Sequence, residues 1–64
     1  MSGTYYQPYK HGTLTKAQAK IMTAVGEKAY LRQIAQRSGY RSFQAVAALV
    51  ESLVKTEVLQ AVDV

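Results

Sequence analysis

The chain has 64 residues, no cysteine and a formal net charge of +4. This length allows one domain at most, and a chain this short buries only ~60% of its unfolded surface, so its stability is marginal. Disulfides and thiolate metal sites are excluded, no apolar run approaches the ~18 residues of a membrane span, and the N-terminus lacks the apolar segment of a signal peptide. These features predict a soluble, cytoplasmic protein.

Residues 1–13 show neither helical nor strand periodicity, and two glycines and a proline interrupt them. We expect a flexible N-terminal arm there, followed by one helix-turn-helix domain over residues 14–64. The arm carries three tyrosines next to Lys10 and His11. Such a cluster can stack on bases or reach phosphates, or one or two of the rings can pack on the domain instead. The three are Tyr5, Tyr6 and Tyr9.

Residues 14–25 predict the first helix. Thr15 is suited to cap its N-terminus, and Gln18 stands three residues further on, where it completes a capping box. Gly26 ends the helix. Apolar residues at helical spacing predict its inner face: Leu14, Ile21, Met22 and Val25.

A short connector over residues 27–30, with the option of a brief strand, leads to a second helix over residues 31–38. Ala35 and Gly39 are four residues apart. This is the spacing at which a helix-turn-helix unit needs a small residue for helix contact and a glycine for the turn. Gly39 can adopt the positive φ that ends the helix at low cost.

Ser42 is suited to cap a third helix that runs to about residue 56. One side of this helix is apolar and the other begins with small and polar residues. Such a face suits the major groove, where Gln44 can make a bidentate contact to adenine and Ala45 and Ala48 can contact thymine methyl groups. The same pattern is consistent with an ordinary amphipathic helix whose polar side faces solvent. The apolar side has Val46, Leu49, Val50 and Leu53, and the opposite side has Gln44, Ala48, Glu51 and Lys55.

Residues 57–64, EVLQAVDV, are rich in branched side chains and predict a strand. Its only evident partner is the segment 28–31. A lone pair of short strands is weak, and an unpaired edge invites association with another chain.

The basic residues are concentrated before the third helix. Residues 1–41 contain seven basic side chains and one acidic one, whereas residues 42–64 contain one basic and three acidic ones. A basic surface suits a polyanion such as nucleic acid. The alternative is a solvated surface whose charge keeps a small protein soluble. The candidate phosphate contacts are Lys16, Lys20, Lys28, Arg32, Arg37 and Arg41.

The run Ile34-Ala35-Gln36-Arg37, followed by Gly39-Tyr40-Arg41-Ser42, resembles the DNA-binding domain of the LexA repressors. Further matching positions are Leu14, Thr15, Gln18, Ile21, Ala45, Leu53, Val58 and Leu59, so the resemblance covers roughly residues 14–61. It implies a mainly α, winged helix-turn-helix domain: three helices and a short, truncated β element at the C-terminus. It also implies that bases are read from the start of the third helix and that Arg41 lies at the phosphate backbone. By position, the base-reading residues are Ser42, Gln44, Ala45, Ala47 and Ala48.

Four departures from that family matter. Ala47 and Ala48 replace acidic residues, so we expect a different operator. Glu57 replaces a glycine after the third helix, which costs ~1 kcal/mol if its backbone is forced into the left-handed region. The chain reaches Val64 where a wing would turn, so we expect the wing to be truncated or absent. We also expect the self-cleaving domain, which dimerises the family, to be absent.

The residues point to a binding module and not to an enzyme. There is one histidine, the four acids are scattered, and neither a phosphate-binding glycine loop nor a metal-ligand spacing is present. We expect no catalytic residue, metal, cofactor, small-molecule substrate or membrane partner. The sequence predicts a small transcriptional regulator, of the kind found in phages or plasmids. It would read double-stranded DNA through the helix starting at Ser42, as a homodimer or cooperative oligomer. The alternative is a protein-protein adaptor or anti-repressor on a winged-helix scaffold.

Overall fold

The computed structural model describes residues 3–64, which form three helices and one three-stranded antiparallel sheet. The order of the strands in the sheet is β2-β1-β3. In chain order the elements are β1 (Thr4–Pro8), α1 (Lys16–Val25), β2 (Ala29–Tyr30), α2 (Leu31–Ser38), α3 (Phe43–Lys55) and β3 (Leu59–Asp63).

The prediction of a mainly α fold with a short β element at the C-terminus is wrong. The described residues are 50% helical and 19% strand, so the fold is mixed α/β. The difference comes from strand β1, which lies within the segment that the sequence analysis assigns to an arm. Tyr5 and Tyr6 are adjacent aromatic residues, and they hide the alternation by which a half-buried strand is recognised. The composition Thr-Tyr-Tyr favours a strand, but the flanking glycine and proline conceal that signal.

Strand β1 lies at the centre of the sheet and pairs with both other strands. Tyr5 lies opposite Tyr30 of β2 on one side and opposite Val62 of β3 on the other. The predicted pairing of the C-terminal strand with segment 28–31 is wrong, because β1 lies between them. The antiparallel partner of the C-terminal strand is therefore the N-terminal segment.

The β1–β3 pair continues beyond both strands. Val64 N–H donates to the Gly3 carbonyl at 2.8 Å, and Gly3 N–H donates back to the Val64 carbonyl at 3.3 Å. Because hydrogen-bonded and non-bonded positions alternate in an antiparallel pair, Pro8 stands at a non-bonded position opposite Leu59. Its missing N–H therefore breaks no bond to β3, and β2 is too short to need one.

The helix ends follow the predicted capping chemistry. The Thr15 hydroxyl accepts from Gln18 N–H at 3.1 Å and the Gln18 side chain accepts from Thr15 N–H at 3.0 Å, which confirms the capping box. Helix α1 begins at Lys16, two residues later than predicted, because Thr15 is the cap. Gly39 has a φ of 75° and closes α2 in the left-handed conformation.

The core lies between the inner face of the sheet and the three helices. Tyr6 packs against it from β1, and the paired residues Ala29 and Ala61 stand beside Tyr6 on the same face. Since α3 turns its apolar side to this core, its other side is exposed to solvent. The fully buried side chains are Ile21, Val25, Ile34, Val46, Val50, Leu53 and Leu59.

None of the helices in residues 3–64 combines the length and the apolar character that crossing a membrane requires.

Candidate nucleic-acid interface

The start of α3 is an exposed surface. The Ser42 hydroxyl caps the helix by accepting from Ala45 N–H at 3.2 Å. Gln44, Ala45 and Ala48 are exposed, as is Ser42 itself. We refer to these four residues as the α3 outer face. They are four of the five positions at which the resemblance to LexA places base-reading side chains.

The fifth position, Ala47, is one helical turn from Gln44 and stands at the edge of this face. It is half-buried and lines a groove between α3 and the sheet, together with Tyr6 and Ala61. The structure therefore exposes four of the five candidate base-reading residues, and Ala47 is half-buried at their edge.

Phe43, the first residue of α3, was not among the residues singled out in the sequence. Its side chain is 53% exposed, which is unusual for a phenylalanine in a small domain. A helical wheel sets it about 60° from Val46, on the flank of the apolar stripe and ahead of the first core residue. That position is the signal by which the sequence could have indicated an exposed ring beside Gln44.

Basic and aromatic side chains stand next to the α3 outer face. The Lys20 ammonium lies 5.5 Å from the centre of the Tyr40 ring. Lys16 lines the same shallow groove, and Tyr40 is followed directly by the exposed Arg41 and by the cap of α3. Three of the six candidate phosphate contacts, Lys16, Lys20 and Arg41, therefore lie beside or within the segment 40–42 that leads into α3. We call them the α3 basic group.

Lys28 and Arg37 belong to a different cleft, on the outer face of the sheet. The Lys28 ammonium lies 5.3 Å from the centre of the Tyr5 ring, and Tyr5 meets Tyr30 edge to face at 6.3 Å. Arg37 lines this cleft too, and its guanidinium donates to the Ala24 carbonyl at 3.2 Å. These two cations lie on the face of the sheet opposite the core, and Arg37 is held at the end of α1.

Arg32, the remaining candidate, is exposed on α2 and lines neither cleft. Of the six candidates, three thus lie near the start of α3 and two lie on the outer face of the sheet. Arg32 belongs to neither group.

The strand disperses the predicted aromatic cluster. Tyr5 faces outward from the sheet, Tyr6 faces the core, and Tyr9 lies beyond the strand with its ring 53% exposed. Lys10 stands 5.3 Å from the centre of the Tyr9 ring and forms an ion pair of 2.9 Å with Glu57. The sequence left two options for these tyrosines, contact with nucleic acid or packing on the domain. Tyr6 packs on the domain.

Charge is distributed unevenly along α3. Its first turn contains no acid, and its last turn contains Lys55. Glu51 lies with Lys55 at the far end, beside Ser52. The start of the helix therefore presents the positive end of the helix dipole with no carboxylate in the first turn, an arrangement that favours a phosphate group.

Among residues 3–64, histidine and acidic side chains do not gather into a group of three that could hold a metal ion.

A scan of known protein families, a search of curated proteins and a search of solved structures each found no match.

Proposed function

We propose that this domain binds double-stranded DNA and reads base pairs through the start of α3, as a small transcriptional regulator. The observation that carries the proposal is the α3 outer face: four exposed, small or polar residues at a capped helix start, with basic residues on the adjoining surface. A helix placed in the major groove needs side chains there that are short enough to allow approach and polar enough to contact base edges.

In this mechanism each part of the surface has one task. The amide of Gln44 makes a bidentate contact to adenine, while Ala45 and Ala48 contact thymine methyl groups. The α3 basic group and the N-terminus of α3 bind phosphates on either side of the groove, which positions the helix without specifying sequence.

The LexA resemblance supports this proposal through the turn. In the structure α2 ends at the left-handed Gly39, and α3, capped by Ser42, begins at Phe43. The alanines at positions 47 and 48 favour an operator different from that of the LexA repressors. Because one small domain reads few base pairs, we propose that it acts as a homodimer or as a cooperative oligomer on DNA.

Selection of bound sequences from random duplex DNA tests the proposal directly. An enriched motif is expected, and recovery of unenriched sequences would contradict specific reading. Gln44→Ala should relax the preference for adenine at one position, because a bidentate pair contributes ~1–3 kcal/mol of discrimination. Gln36→Ala, at an exposed position on α2, is the matched control and should leave the motif unchanged.

Two lysines provide a second, charge-matched comparison. Lys20 and Lys28 each stand over a tyrosine ring at nearly the same distance, but only Lys20 lies beside α3. Lys20→Ala should weaken binding at all sequences and lower the salt dependence by about one counterion. Lys28→Ala should change neither, and equal losses in the two variants would refute this placement of the DNA.

The salt dependence of the unchanged protein follows from the same division. Setting aside Lys28 and Arg37 leaves the three cations of the α3 basic group and Arg32, which lines neither cleft. With ~3–4 phosphate contacts, the plot of log affinity against log salt concentration should have a slope of about −3 to −4. A binding constant that barely responds to salt would contradict a phosphate-contacting surface.

The exposed ring of Phe43 favours a second candidate function, a protein-protein adaptor or anti-repressor. An exposed aromatic ring at the start of a helix is a suitable anchor for a protein partner. The double variant Gln44→Ala with Arg41→Ala should abolish specific DNA binding if the first proposal holds. If the adaptor function holds, that variant should retain its partner and Phe43→Ala should lose it.

A further inference from the structure

Strand β3 is an edge of the sheet. Its hydrogen-bonded positions toward β1 are residues 60, 62 and 64, as the Gly3–Val64 exchange fixes the alternation. The N–H and C=O groups of Leu59, Ala61 and Asp63 therefore point away from β1. Among the backbone hydrogen bonds of residues 3–64 outside helices and strands, none reaches these three residues.

This edge lacks the features by which proteins usually prevent strand addition. It contains no proline, lysine or arginine, and its single charge is Asp63 at one end. The Asp63 carboxylate accepts a hydrogen bond of 2.7 Å from the Thr4 hydroxyl, so it is engaged on the β1 side. At the centre stands Ala61, whose small exposed side chain leaves room for an approaching strand.

We propose that β3 pairs antiparallel with β3 of a second copy of this chain, with the two-fold axis at Ala61. The two sheets then form one continuous sheet of six strands. Ala61 of one copy faces Ala61 of the other, and Leu59 faces the second copy's Asp63. All outward N–H and C=O groups of both strands are then bonded, which gives six hydrogen bonds across the axis.

The register is selected by charge and by strand length. An axis at Asp63 would place two carboxylates directly opposite each other, which is destabilising. An axis at Leu59 would set Asp63 opposite Lys55, which belongs to helix α3 and cannot join a ladder. Only the axis at Ala61 overlaps all five residues and keeps the two Asp63 side chains at opposite ends.

This pairing does not depend on DNA binding, and its test contains no DNA. Sedimentation over a range of protein concentrations should show a reversible monomer–dimer equilibrium. Ala61→Lys should weaken dimerisation by about tenfold, because it places like charges opposite each other on the axis. Ala48→Lys, the same change at an exposed alanine on α3, should leave the equilibrium unchanged. A protein that stays monomeric at every concentration, or a dimer that tolerates Ala61→Lys, would overturn the proposal.

A cross-link identifies the register. Opposed Cα atoms at a hydrogen-bonded antiparallel pair are about 5.5 Å apart, within the range of a disulfide. Ala61→Cys should therefore form a covalent dimer rapidly under mild oxidation, and Gln36→Cys, on exposed α2, should not. The Ala61→Cys variant keeps the backbone N–H that points away from β1. A thermal unfolding curve of each variant confirms that it is folded. Equal cross-linking rates would reject pairing at Ala61.

Discussion

Replacing Tyr6 and Tyr9 by alanine separates an N-terminal strand from an N-terminal arm. The two tyrosines belong to one short segment, and a flexible arm would make both substitutions equally harmless. In the structure Tyr6 packs against the core from the central strand, whereas the Tyr9 ring is 53% exposed. The same chemical change should therefore have two different effects on the free energy of unfolding.

The magnitudes follow from burial. Truncating a fully buried aromatic side chain to alanine costs about 3–5 kcal/mol, so the half-buried Tyr6 should cost about 2 kcal/mol. Tyr9 loses an exposed contact with Lys10 that contributes about 0.5 kcal/mol at most. A domain of this size is stable by only about 3–10 kcal/mol, so the Tyr6 variant loses a large share of its stability.

Thermal and urea unfolding followed by circular dichroism measure both variants. Tyr6→Ala should lower Tm by roughly 8–16 °C, since about 1 kcal/mol corresponds to 4–8 °C in a domain of 60–100 residues. Tyr9→Ala should lower it by no more than about 4 °C. Shifts of equal size in the two variants would refute the placement of Tyr6 in the core.

Two further substitutions test local features of the backbone. Glu57→Gly should stabilise the protein by about 0.5 kcal/mol, because it relieves a φ of 66° worth ~1 kcal/mol and loses only the exposed ion pair with Lys10. Glu57→Gln keeps the strained φ and should not stabilise the protein. A urea midpoint that is higher for Glu57→Gln than for Glu57→Gly would contradict backbone strain as the cause. Arg37→Ala should destabilise by about 1–2 kcal/mol, because the Ala24 carbonyl loses a charged donor. Arg32→Ala should stay within about 0.5 kcal/mol, and equal losses from the two arginines would show that the bond to Ala24 contributes nothing.

The helices were predictable because their signals are local. Thr15 and Gln18 are three residues apart, Gly39 follows its helix directly, and the apolar stripes repeat within one element. The resemblance to LexA, which has a glycine at the position of Glu57, indicated a cost if this residue is left-handed, and its φ of 66° meets that condition.

The sheet was not predictable in the same way. Strand β1 pairs with residues more than 50 positions away, as the Gln7–Gln60 hydrogen bond of 2.9 Å illustrates. Nothing in a window of a few residues reports such a partner. The predicted C-terminal strand was correct in place and wrong in partner for the same reason.

The candidate site could be predicted from the sequence only in part. Helical periodicity was sufficient to place Gln44 and Ala48 on the exposed side of α3. It was insufficient to sort the cations, because the bond from Arg37 to the end of α1 and the position of Lys28 over the Tyr5 ring depend on tertiary packing. The number of basic residues shows that the net charge is positive. Only the fold shows where on the surface the basic side chains lie.

The position of β1 at the centre of the sheet also determines the order in which the chain can fold. Thr4 and Asp63 are 59 residues apart in sequence and adjacent in the sheet. During synthesis β1 emerges first, yet the strand that completes its pairing emerges after all three helices. The helices can form early from local contacts, while closing the sheet requires the longest loop in the domain. We therefore expect β1 and β3 of the nascent chain to pair only at the end, in a late step that completes the sheet.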